Sequence, residues 1–419
     1  MTLLSGRETP RYRRYGIVAQ RICYIRSMRF RLIVWVLLSA FMGAKAQERV
    51  YYFSKQIDSL LVHDTLPYKF QAGSWYYSFI GNHQKALEVK DMQFPNAKPA
   101  QPTAEQGALL ARYSPVAAQD RILAEAKNRR LLILNEAHYM APHRLFVLSM
   151  LKELKAMGYT HLGLEALNHD DSLLNQRKYA VTQTGLYTHE PAFGRLIREA
   201  LELGFVLFAY EQRFNDSLQQ QQGRELAQAM NVKMVMDASP KARIVLLCGY
   251  DHAVEDTLRG FMGLPMAGQL KQLTGEDPFT VDQTALSEYH VVGSRYRKLM
   301  DLTYSALFVD SVGQYFNSAN PAKRIDCHVY HPNTVYVKNR PSWLLRPNMR
   351  LVGLRDKITI RYPCLVKILV AGETADAIPV DVIELLSADD PTASLVYKRR
   401  KQYALVENPY GEQQRIPIR

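Results

Sequence analysis

The amino-acid sequence predicts an α/β fold, in which a mainly parallel sheet is flanked by helices on both faces and followed by a small C-terminal all-β region. Short apolar runs without polar alternation recur between residues 103 and 318, and helical stretches separate them. Such runs are typical of parallel strands that are covered on both faces. Residues 319–419 instead contain β-rich segments with turn residues between them.

Four of the apolar runs have the length of strands, and a shorter run follows late in the domain. They lie at 131–134, 161–164, 205–208, 243–247 and 279–281. The stretches between them carry apolar residues at helical spacing: Val147, Leu151 and Leu154; Leu196, Ile197, Ala200 and Leu201; Leu226, Met230 and Met234. Pro142 suits a first helical position, and a further helix is predicted from Pro265 to Gly275. Strand alternating with helix implies βαβ crossovers and therefore a parallel sheet.

Two further segments flank this α/β domain of residues 103–318. Residues 47–102 have a helical, aromatic-rich pattern and are predicted to form a helical lead-in. The β-rich C-terminal domain, 319–419, contains segments of strand character at 334–337, 357–360 and 364–370.

The first 46 residues have the pattern of a cleaved signal peptide. Basic residues precede the apolar run 32–42, and Ala44 and Ala46 supply the small residues that a signal peptidase requires. A spanning helix needs about 20 apolar residues, so the run favours a signal over a membrane anchor. We expect a secreted or periplasmic protein cleaved after Ala46, with Met1 or Met28 as the start and no stable membrane span after cleavage.

The formal net charge of +13 does not indicate nucleic-acid binding. Residues 1–46 hold nine Lys or Arg against one acid, so the rest of the chain carries only about +5, spread widely. With 47% hydrophobic and 22% charged residues, the composition is that of a globular protein. We expect a small-molecule substrate and no nucleic-acid partner.

Each of the four longer apolar runs is followed by residues that can exchange protons or bind a metal. These are Glu136 and His138 after the first run, Glu165 after the second, Glu211 after the third and His252 after the fourth. The carboxyl ends of parallel strands meet at one edge of a sheet, where ligands bind. We therefore predict that these five residues form a catalytic site that activates water for hydrolysis, with or without a divalent metal. His138, His252 and Glu165 are the candidate metal ligands.

Four other residues are candidates for substrate binding: Arg213, Arg224, His143 and Tyr187. Arg224 suits an anion or a substrate carbonyl. Tyr187 lies in the long segment 168–192, which either closes over a substrate or is a plain connection. Structural interpretations stay open for all of them, since Arg213 suits a salt bridge with Glu211 and most helical arginines lie on the surface.

Several other features of the sequence argue for a structural role or against other enzyme classes. His328 and His331 have no array of carboxylates or cysteines beside them in the sequence and are expected to be structural. The sequence has no Gly-x-Ser-x-Gly motif, no phosphate-binding Gly-rich loop with Lys-Ser/Thr and no His-Glu-x-x-His motif. A serine-triad hydrolase and a nucleotide-dependent enzyme are therefore not expected.

The order of the strand-end motifs resembles the superfamily that joins erythromycin esterases, ChaN-like haem-binding lipoproteins and the TraB/Tiki proteases. Its pattern is a Gly-Glu-x-His-like motif after the first strand, a Glu after the second and a Gly-x-x-His-like motif late in the domain. Here residues 135–138 match the first with Asn135 in place of Gly, Glu165 matches the second, and 249–252 match the third. The likeness covers about residues 103–290 and is nearest to the exported, erythromycin-esterase-like branch.

For esterase-like members, the resemblance implies that His138 is the general base on a water that attacks an ester, with Glu136, Glu165 and His252 orienting and stabilising. For Tiki-like members the same positions would hold the divalent metal of a peptidase, and for ChaN-like members haem would sit between protomers. The leading hypothesis is an exported hydrolase of an ester or related acyl bond. A haem- or ligand-binding uptake protein and a cell-surface adaptor are the alternatives.

Overall fold

A six-stranded parallel sheet forms the centre of the molecule, and antiparallel sheets follow it. The structure is a computed structural model that describes residues 50–418 except residue 100 and the segments 259–262 and 318–323. The predicted signal peptide lies outside the described residues. Among the residues that are described, no helix has the length and apolar character needed to cross a membrane.

The helices and strands follow one another in this order along the chain. The helices are α1 Ser54–His63, α2 Lys69–Phe79, α3 His83–Asp91, α4 Ala104–Leu110, α5 Ala118–Ala126, α6 Ala141–Ala156, α7 Leu174–Arg177, α8 Pro191–Glu202, α9 Ser217–Gln222, α10 Arg224–Ala238 and α11 Met266–Thr274. The strands are β1 Ser114–Ala117, β2 Leu131–Glu136, β3 Tyr159–Leu164, β4 Val206–Ala209, β5 Arg243–Gly249, β6 Phe279–Asp282, β7 Ala306–Val309, β8 Cys327–His328, β9 Tyr336–Val337, β10 Arg340–Pro341, β11 Met349–Val352, β12 Cys364–Val370, β13 Asp381–Leu385, β14 Ser394–Tyr397, β15 Gln402–Glu407 and β16 Gln413–Ile418.

The central sheet has the strand order β4-β3-β5-β2-β6-β8. All neighbouring pairs in it are parallel. The five apolar runs identified in the sequence all lie in its strands β2 to β6, and a helix follows each of the first four. The prediction of an α/β fold with a parallel sheet is therefore confirmed.

Alternate residues of the central strands face two separate apolar cores. On one face, Leu132 and Leu134 of β2 pack with α5, α6 and α8. On the other face, Leu131 and Ile133 pack with α10 and α11. This burial on both faces explains why the strands lack polar alternation, since neither face meets water. It also sets the direction of Glu136, which shares a face with Leu134 and so points toward α6.

The connections of the central strands change direction at β5. The chain leaves β2 and β3 toward the β4 edge of the sheet, whereas it leaves β5 toward β6 and the β8 edge. Crevices for ligands form at the carboxyl ends of strands where this reversal occurs. The topology therefore predicts a ligand site around the end of β5, between the ends of β2 and β3.

The C-terminal part of the chain is β-rich, but it is not separate from the α/β part. Its largest sheet is antiparallel, in the order β13-β12-β15-β16. The apolar cluster that contains α6 and α8 continues without a break into these strands, for example to Val366, Leu395 and Val406. Beyond residue 318 the chain also supplies β8, which pairs with β6 as the sixth strand of the central sheet.

Two of the predicted C-terminal strands differ from the structure. The segment 334–337 contributes only the two residues of β9. The segment 357–360 is not a strand: the backbone N–H of Thr359 donates to the side-chain oxygen of Gln414, 2.9 Å away, instead of to a neighbouring backbone. Its Ile-Thr-Ile composition suits a strand, but no neighbouring strand pairs with the segment. A high β propensity does not form a strand without such a pairing partner.

Candidate functional site

Glu136 and His138 form a hydrogen-bonded pair at the end of β2. The Nδ1 atom of His138 lies 3.1 Å from Oε1 of Glu136, which is buried. Burial disfavours the carboxylate, but the Arg144 guanidinium and His138 outweigh it and lower the pKa of Glu136 below its usual value. Glu136 is therefore ionised and accepts a hydrogen bond from Nδ1–H of His138, and in that tautomer of the imidazole Nε2 carries the lone pair. No other described residue hydrogen-bonds that nitrogen.

Arg144, from the first turns of α6, holds this pair in place. Its Nε donates to Glu136 at 2.5 Å, and its two terminal nitrogens donate to Glu190 at 3.0 Å and to the carbonyl of His138 at 2.7 Å. The guanidinium is fully buried. Glu190 in turn caps α8, because its carboxylate accepts from the backbone N–H groups of Ala192 and Phe193. The buried Arg144 guanidinium thus holds in place both the Glu136 carboxylate and the backbone of His138, the candidate base.

Aromatic rings surround the His138 imidazole on three sides. Tyr187 stacks on it with ring centroids 3.8 Å apart, and Tyr250 and Trp75 approach it edge-on at 5.3 Å and 6.4 Å. Burial raises the pKa of both tyrosines, so their hydroxyls stay protonated and can donate. The His138 side chain is 13% exposed, so it remains accessible through this aromatic frame.

Arg224, the first residue of α10, is the centre of a second cluster. It donates to Glu165 and to Glu211, both at 2.5 Å, and one of its nitrogens lies 2.9 Å from Nε2 of His252. Its side chain is 46% exposed, whereas those of Glu165 and His252 are buried. Burial disfavours the ionised form of Glu211, but its hydrogen bonds with Arg224 lower the carboxyl pKa.

His252 is held from behind by a carboxylate that sequence reasoning did not select. Its Nδ1 lies 2.7 Å from Glu225, which also accepts from the backbone N–H of Met266. Burial acts to lower the pKa of His252, but Glu165 and Glu225 outweigh it and raise that pKa. Protonated, its Nε2 would face Glu165, 3.5 Å away, instead of accepting from Arg224.

The two clusters meet at Gly249, the last residue of β5. A Cβ atom at this position would stand 2.5 Å from Cε1 and 2.7 Å from Nε2 of His138, and 3.4 Å from Oε2 of Glu165. The backbone N–H of Gly249 also donates to Glu165. The absence of a side chain at Gly249 is therefore what lets the imidazole and the carboxylate approach each other across the end of β5.

Asn135 and Tyr250 fix the backbone on which the two clusters rest. Tyr250 has a φ of +42°, a left-handed conformation that side chains rarely adopt. The Asn135 amide donates to the Tyr250 carbonyl at 2.8 Å and to Asp282 at 2.6 Å, so β2, β5 and β6 are linked at their ends. Such strained residues cluster at functional sites, where surrounding contacts hold them.

The structure brings together all five predicted catalytic residues, with Arg224 and Tyr187. His143 lies behind them: its Nδ1 accepts from the backbone N–H of Ala137 at 3.1 Å, and its Nε2 lies 3.0 Å from Ser287. It is fully buried and supports the loop that carries His138. Arg213 does not form the salt bridge with Glu211 that the sequence suggested. Arg224 forms it instead. The exposed Arg213 lines an adjoining cavity of ≈ 440 Å³ with Glu211.

His328 and His331 are hydrogen-bonded in the interior. His328 contacts Asp282 and Asn317, both at 2.6 Å, and His331 lies 2.9 Å from the Ser305 hydroxyl and 3.1 Å from Oε1 of Gln283. Burial, with a smaller contribution from Arg297, lowers the pKa of His331 to about 3.

The neutral state of His331 predicts a loss of stability in acid. Its pKa in the folded state lies below the ordinary value of 6.5, so unfolding takes up a proton at any pH between the two. Full stability is present above pH 6.5, and His331 contributes a loss of about 1.4 kcal/mol for each pH unit below it. Urea unfolding of the wild type and His331→Asn between pH 4.5 and 7.5 should show a shallower slope for the variant. The exposed His63→Asn is the matched control, and equal slopes in all three proteins would contradict the prediction.

The candidate metal ligands are arranged in a way that does not fit a metal ion. The Arg224 guanidinium occupies the space that Glu165, Glu211 and His252 enclose, and it supplies the positive charge there. His138 offers a single ligand atom, Nε2, because its Nδ1 is hydrogen-bonded to Glu136. Within the described part of the chain, no group of three His, Cys, Asp or Glu side chains is placed to share a metal.

Sequence reasoning missed three residues that shape the site: Arg144, Glu225 and Trp75. Arg144 could have been identified from the sequence, because it lies three residues before Val147 and seven before Leu151, on the apolar stripe of α6. A charged residue on a buried stripe needs a partner, and Glu136 was the nearest candidate in the sequence. Trp75 could not have been identified in this way, because α2 reaches the site only through the tertiary fold.

Comparison with known proteins gives only distant structural likenesses. No protein-family model matches the chain, and no curated protein shows significant sequence similarity to it. Among solved structures it is similar to the type III effector HopBA1, with 12% identity over 42% of this chain and 88% of that one and a TM-score of 0.29. It is also similar to RRSP, a MARTX toxin effector domain from Vibrio vulnificus, with 17% identity, 65% and 47% coverage and a TM-score of 0.29.

A third likeness is to the C-terminal region of Pasteurella multocida toxin, which contains a thiol-protease-like catalytic triad. There the identity is 10%, the coverage 87% of this chain and 53% of that one, and the TM-score 0.28. The match thus spans about half of each of these two solved chains. All three TM-scores lie below 0.5, so these likenesses identify neither the fold nor the function of this chain.

Proposed function

We propose that this protein is a hydrolase in which His138 activates a water molecule to cleave an ester or related acyl bond. The observation that supports the proposal is the Glu136–His138 pair. A buried, ionised carboxylate holds Nδ1, and Nε2 of the same ring is partially accessible at the crevice where the strand connections reverse. A carboxylate that orients an imidazole in this way is the arrangement of a general base.

The proposed reaction begins when Nε2 of His138 takes a proton from water and the water oxygen bonds to the acyl carbon. The carbonyl oxygen then carries negative charge, which the Arg224 guanidinium is placed to stabilise because its side chain is half exposed. The protonated hydroxyls of Tyr187 and Tyr250 are further donors beside His138. The bond to the leaving group then breaks, and His138 returns the proton to the leaving oxygen. Water is consumed, and an acid and an alcohol are formed.

In this mechanism Glu165, Glu211 and His252 are positioning residues for Arg224. Glu165 and Glu211 hold its guanidinium in one orientation. His252, which Glu225 fixes in turn, adds to this as long as its Nε2 is unprotonated. An arginine that is already oriented before the reaction stabilises new charge without a further cost of reorganisation. The resemblance to the erythromycin-esterase-like branch belongs to this proposal, as does the assignment of Glu136 and His138 to its first motif.

Export is part of the proposal and rests on the sequence of residues 1–46. The test is expression of the full chain in a bacterial host and fractionation of the cells. We expect the protein in the periplasm or medium with Gln47 as its first residue, as read by N-terminal sequencing. A full-length chain in the cytoplasm would contradict it.

The experiment that tests the proposed function combines a substrate panel with the substitution Gly249→Ala. The purified protein is offered carboxylic esters and lactones of different acyl size, and release of acid is followed. Any added methyl group at position 249 must displace the His138 ring, because the nearest ring carbon would lie 2.5 Å away. We expect Gly249→Ala to lower kcat/KM at least tenfold, since a displacement of about 1 Å can cost about 100-fold.

The matched control is Gly353→Ala, where an added methyl group would meet open space. It should retain wild-type turnover, and both variants should keep wild-type circular dichroism. Failure of the wild type to cleave any member of the panel, or equal activity of Gly249→Ala and the wild type, would overturn the proposal.

A further inference from the structure

A second feature of the molecule lies outside the crevice, between α8 and the C-terminal sheet. Here Arg195 of α8 and Arg340 of β10 are both buried, with 0% and 2% exposure. They line one small cavity of ≈ 20 Å³, together with Glu190, Asp381 and Leu344. Buried arginines are rare unless they are paired, so their contacts need an explanation.

Three nitrogen atoms of these two arginines have no hydrogen-bond partner. They are Nε and one terminal nitrogen of Arg195, and Nε of Arg340. The other terminal nitrogen of Arg195 donates to the Leu344 carbonyl at 3.3 Å, and Arg340 is paired with Asp381. Within the described part of the chain, no carboxylate lies within 4 Å of the Arg195 guanidinium. Leaving a buried cation in this state carries a large free-energy penalty.

The carboxylates that line the cavity are already committed elsewhere. Glu190 accepts from Arg144 and from the backbone N–H groups of Ala192 and Phe193. Asp381 accepts from Arg340 and from the backbone N–H of Leu395. Both carboxylates that line the cavity are therefore committed, whereas three guanidinium nitrogens lack an acceptor. The Tyr397 hydroxyl also lacks a partner and lies near Arg195, but it carries no negative charge to balance the guanidinium. Cationic donors without an acceptor are the chemistry of an anion site.

We propose that this cavity binds a single monatomic anion, chloride, between Arg195 and Arg340. A cavity needs roughly 10–15 Å³ to hold one water-sized particle, so ≈ 20 Å³ accepts one halide ion and excludes phosphate or sulfate. Water would satisfy the hydrogen bonds, but only an anion also supplies the missing charge beside Arg195. The bound anion links α8, the β9–β10 turn and the C-terminal sheet.

The first test measures thermal unfolding of the purified protein at constant ionic strength while gluconate is replaced by chloride. An anion that binds only the folded state raises Tm with its concentration. Above the Kd we expect roughly 2 °C for each tenfold rise in chloride for a chain of this length. In Arg195→Met the dependence on chloride should disappear, whereas Arg399→Met, at an exposed arginine, should keep it.

Replacing a buried cation that has no ion-pair partner by an apolar side chain need not destabilise a fold, so we expect Arg195→Met to fold. If it nevertheless fails to fold, a second measurement decides: anomalous diffraction from wild-type crystals grown in bromide. A bromide peak between Arg195 and Arg340 supports the proposal. Water or the Tyr397 hydroxyl in that place with no anomalous signal overturns it, as does an unchanged chloride dependence in Arg195→Met.

Discussion

Replacing His138 by alanine is expected to reduce kcat for the cleaved ester by about 10³- to 10⁴-fold with little change in KM. The imidazole is the group with a free lone pair at the crevice, and Glu136, Arg144 and Tyr187 all act to orient it. Loss of the base removes an interaction that forms in the transition state and leaves substrate binding by the rest of the crevice. Steady-state kinetics on the best substrate of the panel measures both constants.

Two further variants separate loss of the base from loss of its surroundings. His138→Gln keeps an amide that can donate to Glu136 but has no basic nitrogen, so it should be as inactive as His138→Ala. His63→Ala, at an exposed histidine of α1, should be as active as the wild type. If either His138 variant retained a tenth of wild-type kcat while folded, another group would be the base.

The meeting of Glu136, His138, Glu165, Glu211 and His252 could be predicted from the sequence because it depends on topology alone. The apolar runs predict parallel strands, and parallel strands bring their carboxyl ends to one edge whatever their order in the sheet. The identity of the partners could not be predicted in the same way. Glu211 pairs with Arg224, thirteen residues away, and not with Arg213, two residues away. That choice depends on the path of the chain between β4 and α10.

The helical lead-in illustrates a second limit of sequence reasoning. Its aromatic pattern predicted helices, and the structure has α1, α2 and α3 in this segment. Its part in the site depends on Trp75, which contacts Tyr187 at 5.1 Å and His138 at 6.4 Å across more than sixty residues of chain. Periodicity shows that a helix has an apolar face, but it does not show which surface covers that face. The same limit applies to the C-terminal strands, which share the core of α6 and α8.

The prediction with the largest expected effect on stability concerns Arg144. Its guanidinium is fully buried and is the ion-pair partner of two buried carboxylates, Glu136 and Glu190. Arg144→Met removes the cation and leaves two buried carboxylates without their ion-pair partner, so we expect a loss of about 3–5 kcal/mol in the free energy of unfolding. Urea unfolding of wild type and variant measures it, with Arg399→Met as the exposed control.

The dependence of this loss on pH tests its cause. Without Arg144, burial raises the pKa of Glu136 and Glu190 in the folded variant above that in the unfolded chain. Carboxyls with a raised folded pKa are tolerated at low pH and destabilise as pH rises through that pKa, so the loss should be larger at pH 8 than at pH 5. The acid sensitivity of His331 is common to both proteins and cancels in their difference.

Combining Arg144→Met with Glu136→Gln and Glu190→Gln should restore part of the stability at pH 8, because neutral amides cost less to bury than carboxylates. A loss that is independent of pH and unaffected by the two glutamine substitutions would mean that Arg144 stabilises α6 through packing alone, and not as the ion-pair partner of the carboxylates behind His138.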